Sequence, residues 1–272
     1  MEKIQSALAS GATRIIYGGD AFSVKVITND DYAKAKEMTK ENNAEIAFAT
    51  PRIVKENQLN YFEKLFAYWE ELQPDFVYIN NIGLWELAEK FSKLRLWADN
   101  SLNIFNSQSM QFWQEKQAQG ASLSHELTLN QIEKITQKNI LPIECLVQGR
   151  VEMMVSEYCI GGSFLGQLDK GECTFKCGKK LFLEDRQNAK FPIATDQYCH
   201  MHILNSVELS MAKNIQNMID IGVNVFRIDG RFATAADVAN LTSLYREIID
   251  GKKNITENLP NTTRGHYFRG VM

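Results

Sequence analysis

Several features that would narrow the assignment are missing from this 272-residue chain. No apolar run approaches the roughly 20 residues a helix needs to cross a bilayer. No charged leader with a short apolar stretch opens the chain either, so neither membrane insertion nor secretion is expected. The cysteine count, five, is odd. With no leader, that argues against a disulfide framework and for a reducing cytoplasm. A His-Glu-x-x-His pair for a zinc protease is absent, and the run Gly161-Gly-Ser-Phe-Leu-Gly166 lacks the spacing of a nucleophile elbow. Excess positive charge is missing as well. The formal net charge of -3 argues against bulk, sequence-blind binding of nucleic acid. A local basic run remains at Lys176, Lys179, Lys180, Arg186 and Lys190, and a solvated face accounts for it equally well.

What the chain does have is a concentration of thiols. Cys159, Cys173, Cys177 and Cys199 are separated by thirteen, three and twenty-one residues. Cys173 and Cys177, four apart and flanked by Gly171 and Gly178, would share one face of a helical turn. Structural zinc usually takes tighter two-residue knuckles, so these gaps suit an iron–sulfur cluster held by a loose, irregular loop better. A radical-SAM cluster does not fit, because no three-residue gap is followed by a two-residue gap. Zinc and unrelated buried thiols stay open as alternatives. Cys145, in the apolar run Leu141 to Val147, reads as a core thiol.

The rest of the chain, 44% apolar and 23% charged, is long enough for one barrel-sized domain. Short β-rich runs alternate with amphipathic stretches, the pattern of parallel strands joined by helical crossovers. Strands are predicted near 13–18, 44–49, 76–79, 96–98, 121–124, 142–147 and 223–228. Helices are predicted at 31–42, 58–72, 84–94, 107–119, 129–137, 209–221 and 235–250. Residues 1–9 read as a helix with no strand before it. The expected fold is α/β, a TIM-like (β/α)8 barrel lacking strand 1, over residues 1–251. A Cys-rich insertion at 150–208 follows strand 7, and residues 252–272 form a tail.

Polar residues cluster just after the expected strands: Arg52, Asn80 and Asn81, Asp99 and Asn103, Ser124 and Glu126, then Arg227, Asp229 and Arg231. In a barrel every carboxyl-terminal strand end faces one shared mouth. For any one of these residues a helix cap or turn is the plain alternative. His200 and His202 flank Met201 beside Cys199, where contacts that support a ligand are a simpler reading than ligation.

The ordered blocks Glu144-x-Leu-x-x-Gly149, Met154-x-Ser-Glu-Tyr-Cys159, Cys173-x3-Cys177, Leu183-x-Asp185-Arg186, Phe191-Pro192-x3-Asp196-x2-Cys199 and Asn205-Ser206 resemble peptidase family U32, the collagenase-like proteases. Ile15 to Gly19, Pro51 to Ile53, Asn81-x-Gly83, Ala98 to Asn103, Ser124 to Leu127, Arg227 to Arg231 and the tail Thr263 to Val271 extend the resemblance along the chain. It departs from the pattern in four places. No cysteine closely follows Gly149, Gln148 replaces a usual histidine, His200 follows the last cysteine where arginine is frequent, and Arg227 and Asp229 replace a lysine–glutamate pair. The chain thus resembles the carboxyl-terminal module of longer members, with an upstream barrel module or a partner subunit as a conceivable companion.

The resemblance implies two kinds of activity. The family name implies proteolysis, whereas several members resemble iron–sulfur hydroxylation proteins acting on tRNA or rRNA bases or on a ubiquinone precursor, the RNA-acting ones with prephenate as oxygen donor. The chemistry of the residues favours O2-independent hydroxylation of an RNA base or a small aromatic substrate. A metal-containing peptidase and a non-catalytic cluster-binding module are the alternatives. On this reading Cys159, Cys173, Cys177 and Cys199 hold a [4Fe–4S] cluster, with zinc as the alternative metal. Arg227, Glu126 and Asp229 are the catalytic candidates, the two acids for proton transfer. Arg52, Asn81, Asp99, Asn103 and Arg231 are the substrate-binding candidates, the arginines suiting a carboxylate. Neutralising an arginine is the equal alternative for each acid.

Overall fold

The computed structural model describes residues 1–174, Cys177 and 181–270. Lys176, Lys179 and Lys180 of the basic run, and Val271 of the tail block, lie outside the described residues. The chain opens with α1 (Glu2–Ala9) and then alternates: β1 (Arg14–Gly18), α2 (Asn29–Glu41), β2 (Glu45–Ala49), α3 (Leu59–Leu72), β3 (Phe76–Ile79), α4 (Ile82–Ala88), β4 (Leu96–Ala98), α5 (Ser107–Glu115), β5 (Ala121–Ser122), α6 (Leu129–Thr136) and β6 (Ile143–Gly149). β1 through β6 pair in sequence order, all in parallel. The protein is therefore α/β with a mostly parallel sheet.

Side-chain alternation explains why the strands are apolar throughout. Ile46, Phe48, Val77, Ile79, Leu96 and Ala98 point to one face and join the main core under the helices. Their neighbours Ala47, Ala49, Phe76, Tyr78 and Trp97 form a second cluster, which alternation puts on the opposite face. There Tyr78 stacks on Trp97 with ring centroids 5.3 Å apart. Capping boxes start four of the α-helices: Thr28 with Asp31, Asn106 with Ser109, Thr128 with Gln131 and Thr234 with Asp237.

After β6 come β7 (Glu152–Ser156), α7 (Ile160–Leu165), β8 (Leu181–Glu184), β9 (Lys190–Thr195) and β10 (Met201–Leu204). These strands make a separate four-stranded antiparallel sheet, ordered β7-β10-β9-β8. Residues 209–221 do not form the single predicted helix. Their front is β11 (Glu208–Ser210), with Leu209 opposite Gly149, and α8 spans only Ile215–Asp220. Pairing with β6 outweighs a marginal local preference for helix.

β12 (Val225–Ile228) returns to pair in parallel with β6. α9 (Ala235–Ile249) follows, and β13 (Thr262–Thr263) pairs with β11. The tail is thus part of the structure: Tyr267 is buried and its hydroxyl donates to the Leu146 carbonyl at 2.6 Å. Among the described residues the sheet does not close. β1 pairs only with β2, and β12 only with β6.

Gly149 ends β6 at φ 129°, and a Cβ placed there would lie 2.9 Å from both the Cβ and the carbonyl oxygen of Asp229. Gly149→Ala should therefore cost about 1–3 kcal/mol in urea unfolding, whereas Gly251→Ala, with φ 71° but open space around it, should cost less.

Candidate functional site

A cavity of about 890 Å³ runs along the carboxyl ends of the strands and down between β1 and β12. Its polar wall is built around Arg227, which β12 projects toward two buried acids. Nη1 of Arg227 lies 2.6 Å from Asp99 Oδ1 and 3.2 Å from Glu144 Oε1. Asp99, just past β4, is 1% exposed. It also accepts a hydrogen bond from Asn80 Nδ2 at 2.8 Å and one from the Asn100 amide. Glu144, equally buried on β6, accepts from the Tyr78 hydroxyl and the Ser122 hydroxyl, each at 2.8 Å.

One guanidinium shared by two carboxylates separates their titration. Burial opposes ionisation of Asp99, but Arg227 and the local donors overcome it and hold the carboxyl below the usual range. For Glu144 burial prevails over Arg227, and nearby Asp99 adds to it, so its carboxyl is pushed up. His125 lines the same cavity, and burial and then Arg227 lower it to about 4. It is a neutral imidazole at physiological pH.

A second line of charge leads from the cavity to the thiols. Arg231 forks onto Asp229, with Nε to Oδ1 at 3.0 Å and Nη2 to Oδ2 at 2.8 Å. Burial is again outweighed by Arg231, and Asp229 is held at about 2. Glu152 on β7 accepts from Arg52 at 3.3 Å and lies 2.7 Å from His202 Nδ1. Its Oε2 is 3.9 Å from Arg231 Nη2. The other nitrogen of His202 lies 3.1 Å from Asp196 Oδ2, which also meets His200 Nδ1 at 3.0 Å. Asp196 Oδ1 accepts from the amides of Tyr198 and His200. The residue enclosed by that turn is Cys199, at φ 63°. Asp196 therefore fixes the loop that presents Cys199.

Burial lowers the pKa of His202, yet hydrogen bonds to Asp196 and Glu152 reverse this and raise it to about 9. A raised cationic group stabilises the fold fully below its unfolded pKa, about 6.5, and that contribution is lost as pH rises through about 9. His202→Gln should flatten the fall in stability between those two values, an effect on the order of 2–3 kcal/mol. Urea unfolding at pH 6, 7.5 and 9 measures it, and parallel wild-type and variant profiles would contradict the assignment.

The thiols sit in the insertion. Cys159 caps α7, its sulfur accepting from the Gly162 amide at 3.3 Å. A Cβ on Gly162 would lie 3.4 Å from the Cys173 sulfur and 3.6 Å from that of Cys159, ordinary contact distances that place this glycine beside both sulfurs. Cys177 is raised by burial and then by Cys159, Cys199 and Cys173. Cys199 is raised by burial and then by Cys159, Asp196 and Cys173. Four thiols close enough to oppose one another's ionisation form a donor set that a cation would relieve. Among the described residues Asp20, Asp196 and His200 bring one ligand atom each within 4.8 Å of one another, but Asp196 and His200 are already bonded to each other.

The structure divides the residues singled out in the sequence. Asp99, Arg227, Asp229 and Arg231 line the cavity. Arg52 is exposed and is joined to it by its guanidinium on Glu152 and by its amide, which donates to Asp20. Asn81 caps α4 by accepting from the Gly83 amide, Asn103 is exposed and ends a 3-10 turn at φ 52°, and Glu126 is exposed outside the cavity lining. Asp185 accepts from the amides of Gln187 and Ala189 and holds the β8–β9 turn, which is a structural role. Reading the sequence missed Glu144, Tyr78, His125, Glu152 and Asp196 as parts of one charged system. A lone acid inside the apolar run 141–147 was the available signal, because a buried charge requires a partner.

Fold and site together define an α/β protein with a thiol-bearing insertion linked by a relay of charged groups to a cavity at the carboxyl ends of its parallel strands. The sequence matches the model of peptidase family U32 over residues 1–266, and the chain belongs to that family. An uncharacterized protease of Methanocaldococcus jannaschii is 28% identical over 257 residues, covering 88% of this chain and 62% of the relative. A tRNA hydroxylation protein P2 of Bacillus subtilis is 24% identical, covering 89% and 81%. A 23S rRNA 5-hydroxycytidine synthase of Escherichia coli is 23% identical, covering 97% and 40%. The chain thus spans about three fifths of the archaeal relative and two fifths of the rRNA enzyme. A solved U32 peptidase matches with a TM-score of 0.42 at 8% identity, over 52% of this chain and 62% of that one.

Proposed function

We propose that this protein is a [4Fe–4S] enzyme of the O2-independent hydroxylation type, acting on an RNA base, with the cluster held by Cys159, Cys173, Cys177 and Cys199. What supports the reading is that the Cys159 and Cys173 sulfurs both lie beside Gly162, and that Cys177 and Cys199 are raised by burial and then by neighbouring thiols. The donor set fits the group: four sulfurs from an irregular segment, an amide donor to one of them, and a glycine packed between two. When bound, such a cluster supplies one-electron chemistry or a Lewis-acidic iron.

The chain's own residues do the rest. Arg227 and Arg231 present fixed forks to an anionic co-substrate in a partly dry cavity. Asp99 and Asp229 hold those forks in place and stay ionised. Glu144, raised by burial, and neutral His125 are the groups suited to hold or accept a proton. Asp196 and His202 orient the Cys199 loop. The parallel strands, in this reading, are seven of the eight of a (β/α)8 barrel, with the insertion at its mouth. RNA as the substrate class draws on the tRNA and rRNA relatives.

Anaerobic purification followed by iron analysis tests the cofactor, and mass spectrometry of RNA from a deletion strain tests the substrate. About four irons per chain and a hydroxylated nucleoside that disappears on deletion are expected. A colourless zinc protein that cleaves casein or gelatin, with cleavage lost in Cys173→Ala, would establish the peptidase reading instead.

A further inference from the structure

The helical layer and the sheet disagree between β12 and β1. α1 packs against both α9 and α2, so the outer ring of helices continues across this point. The sheet beneath does not: no strand among the described residues pairs with the outer edge of β1 or of β12. Instead the cavity runs between them, its apolar floor including Ile4 and Ala7 of α1, Val238 and Ile249 of α9, and Ile15 and Phe226 of the strands.

Both edges carry free bonding directions. Neighbouring parallel strands bond through alternate residues. On β1, Thr13 and Gly19 bond toward β2, so the amides and carbonyls of Arg14, Ile16 and Gly18 face the seam. On β12, Asn224 bonds toward β6, which directs those of Val225 and Arg227 into the seam from the other side. Two such edges, running in the same direction under a covering helix, have the chemistry of a strand acceptor.

We propose that this seam binds one extended polypeptide strand, parallel to β1 and β12 and pairing with both. Its length is set by its neighbours, about five residues or some 16 Å. Residues turned outward meet the apolar side chains of α1 and α9 and are themselves apolar. Those turned inward approach Glu144 and Arg227 and are small or polar. Its carboxyl end finishes beside the first turn of α1, where Lys3 Nζ donates to the carbonyls of Gly230 and Arg231 at 3.0 and 2.9 Å. The inference rests on the barrel reading above and is independent of the cluster.

Amide hydrogen exchange on the full chain tests it. One variant carries a six-residue strand of alternating valine and serine joined ahead of Met1, and its twin carries proline at every second position of that strand, which removes the donors and blocks pairing. Exchange at Ile16, Gly18, Val225 and Arg227 should slow at least about tenfold in the first and not in the twin. Equal rates in the two variants would overturn the proposal. So would the same amides being protected without any added strand in a sedimenting dimer, since a second copy would then fill the seam. Iron per chain in the same preparations reports on the cluster separately, so the two readings fail independently.

Discussion

Cys199→Ser should lower the iron content of anaerobically purified protein from about four per chain to below about one, with loss of the brown iron–sulfur absorption. The residue is held at φ 63° in a turn whose amides are gripped by Asp196, so the substitution removes the sulfur while the loop keeps its anchor. Cys145→Ser is the control. That thiol is 2% exposed, lies in the main core, and burial raises its pKa far beyond the thiolate range. It should retain full iron. Full iron in Cys199→Ser would remove this residue from the ligand set, and equal loss in both variants would point to unfolding. Asp196→Ala should resemble Cys199→Ser in part, since it frees the turn and leaves His200 and His202 without their shared carboxylate.

The second large effect is expected at Arg227→Met, which keeps an unbranched apolar stem and removes the charge between two acids that are each 1% exposed. Breaking a buried pair by removing one partner costs about 3–5 kcal/mol, because the remaining charge is uncompensated. The pH dependence carries a sign. In the wild type Asp99 is held below its ordinary value, so its pairing contributes stability above about pH 4 that is lost as pH falls through the lower folded value. Glu144 is raised, so its ionisation costs stability as pH rises through its folded value. Without Arg227 both acids shift upward. The deficit of the variant should therefore be largest near pH 8 and shrink toward pH 5, as protonation of the two acids becomes easier. Urea unfolding at the two pH values decides it, and an equal deficit at both would mean that the guanidinium acts there only by packing.

Much of the scaffold was legible because it is periodic. The strands at 44–49 and 76–79 are apolar on successive residues, and the structure buries both of their faces. Four of the helices have local start signals in capping boxes at Thr28, Asn106, Thr128 and Thr234. The errors fall where pairing is distant or strands are short. Leu209 was read into a helix although its partner is Gly149, and the four-stranded sheet of the insertion has strands with little alternation, three of them substantially exposed. Of the residues lining the cavity, Asp99, Asp229 and Arg231 come just after strands, and Arg227 lies near the end of β12. Glu126 and Asn103 have the same placement in sequence but are exposed. Glu144 and Tyr78 were hidden within strands, where residue type alone does not distinguish a buried acceptor from the lining of a core.

By itself the sequence determined the order of parallel strands and crossovers and a spacing of four thiols too wide for zinc knuckles. Those are properties of neighbours along the chain: periodicity, turn chemistry and spacing. Only the tertiary structure decided that Arg227 meets Asp99 from 128 residues away, that His202 bridges Glu152 and Asp196, and that residues of α1 and α9 line the cavity beside β1 and β12. Such contacts depend on strand register and on the curvature of the whole sheet, and a short stretch of chain does not encode either.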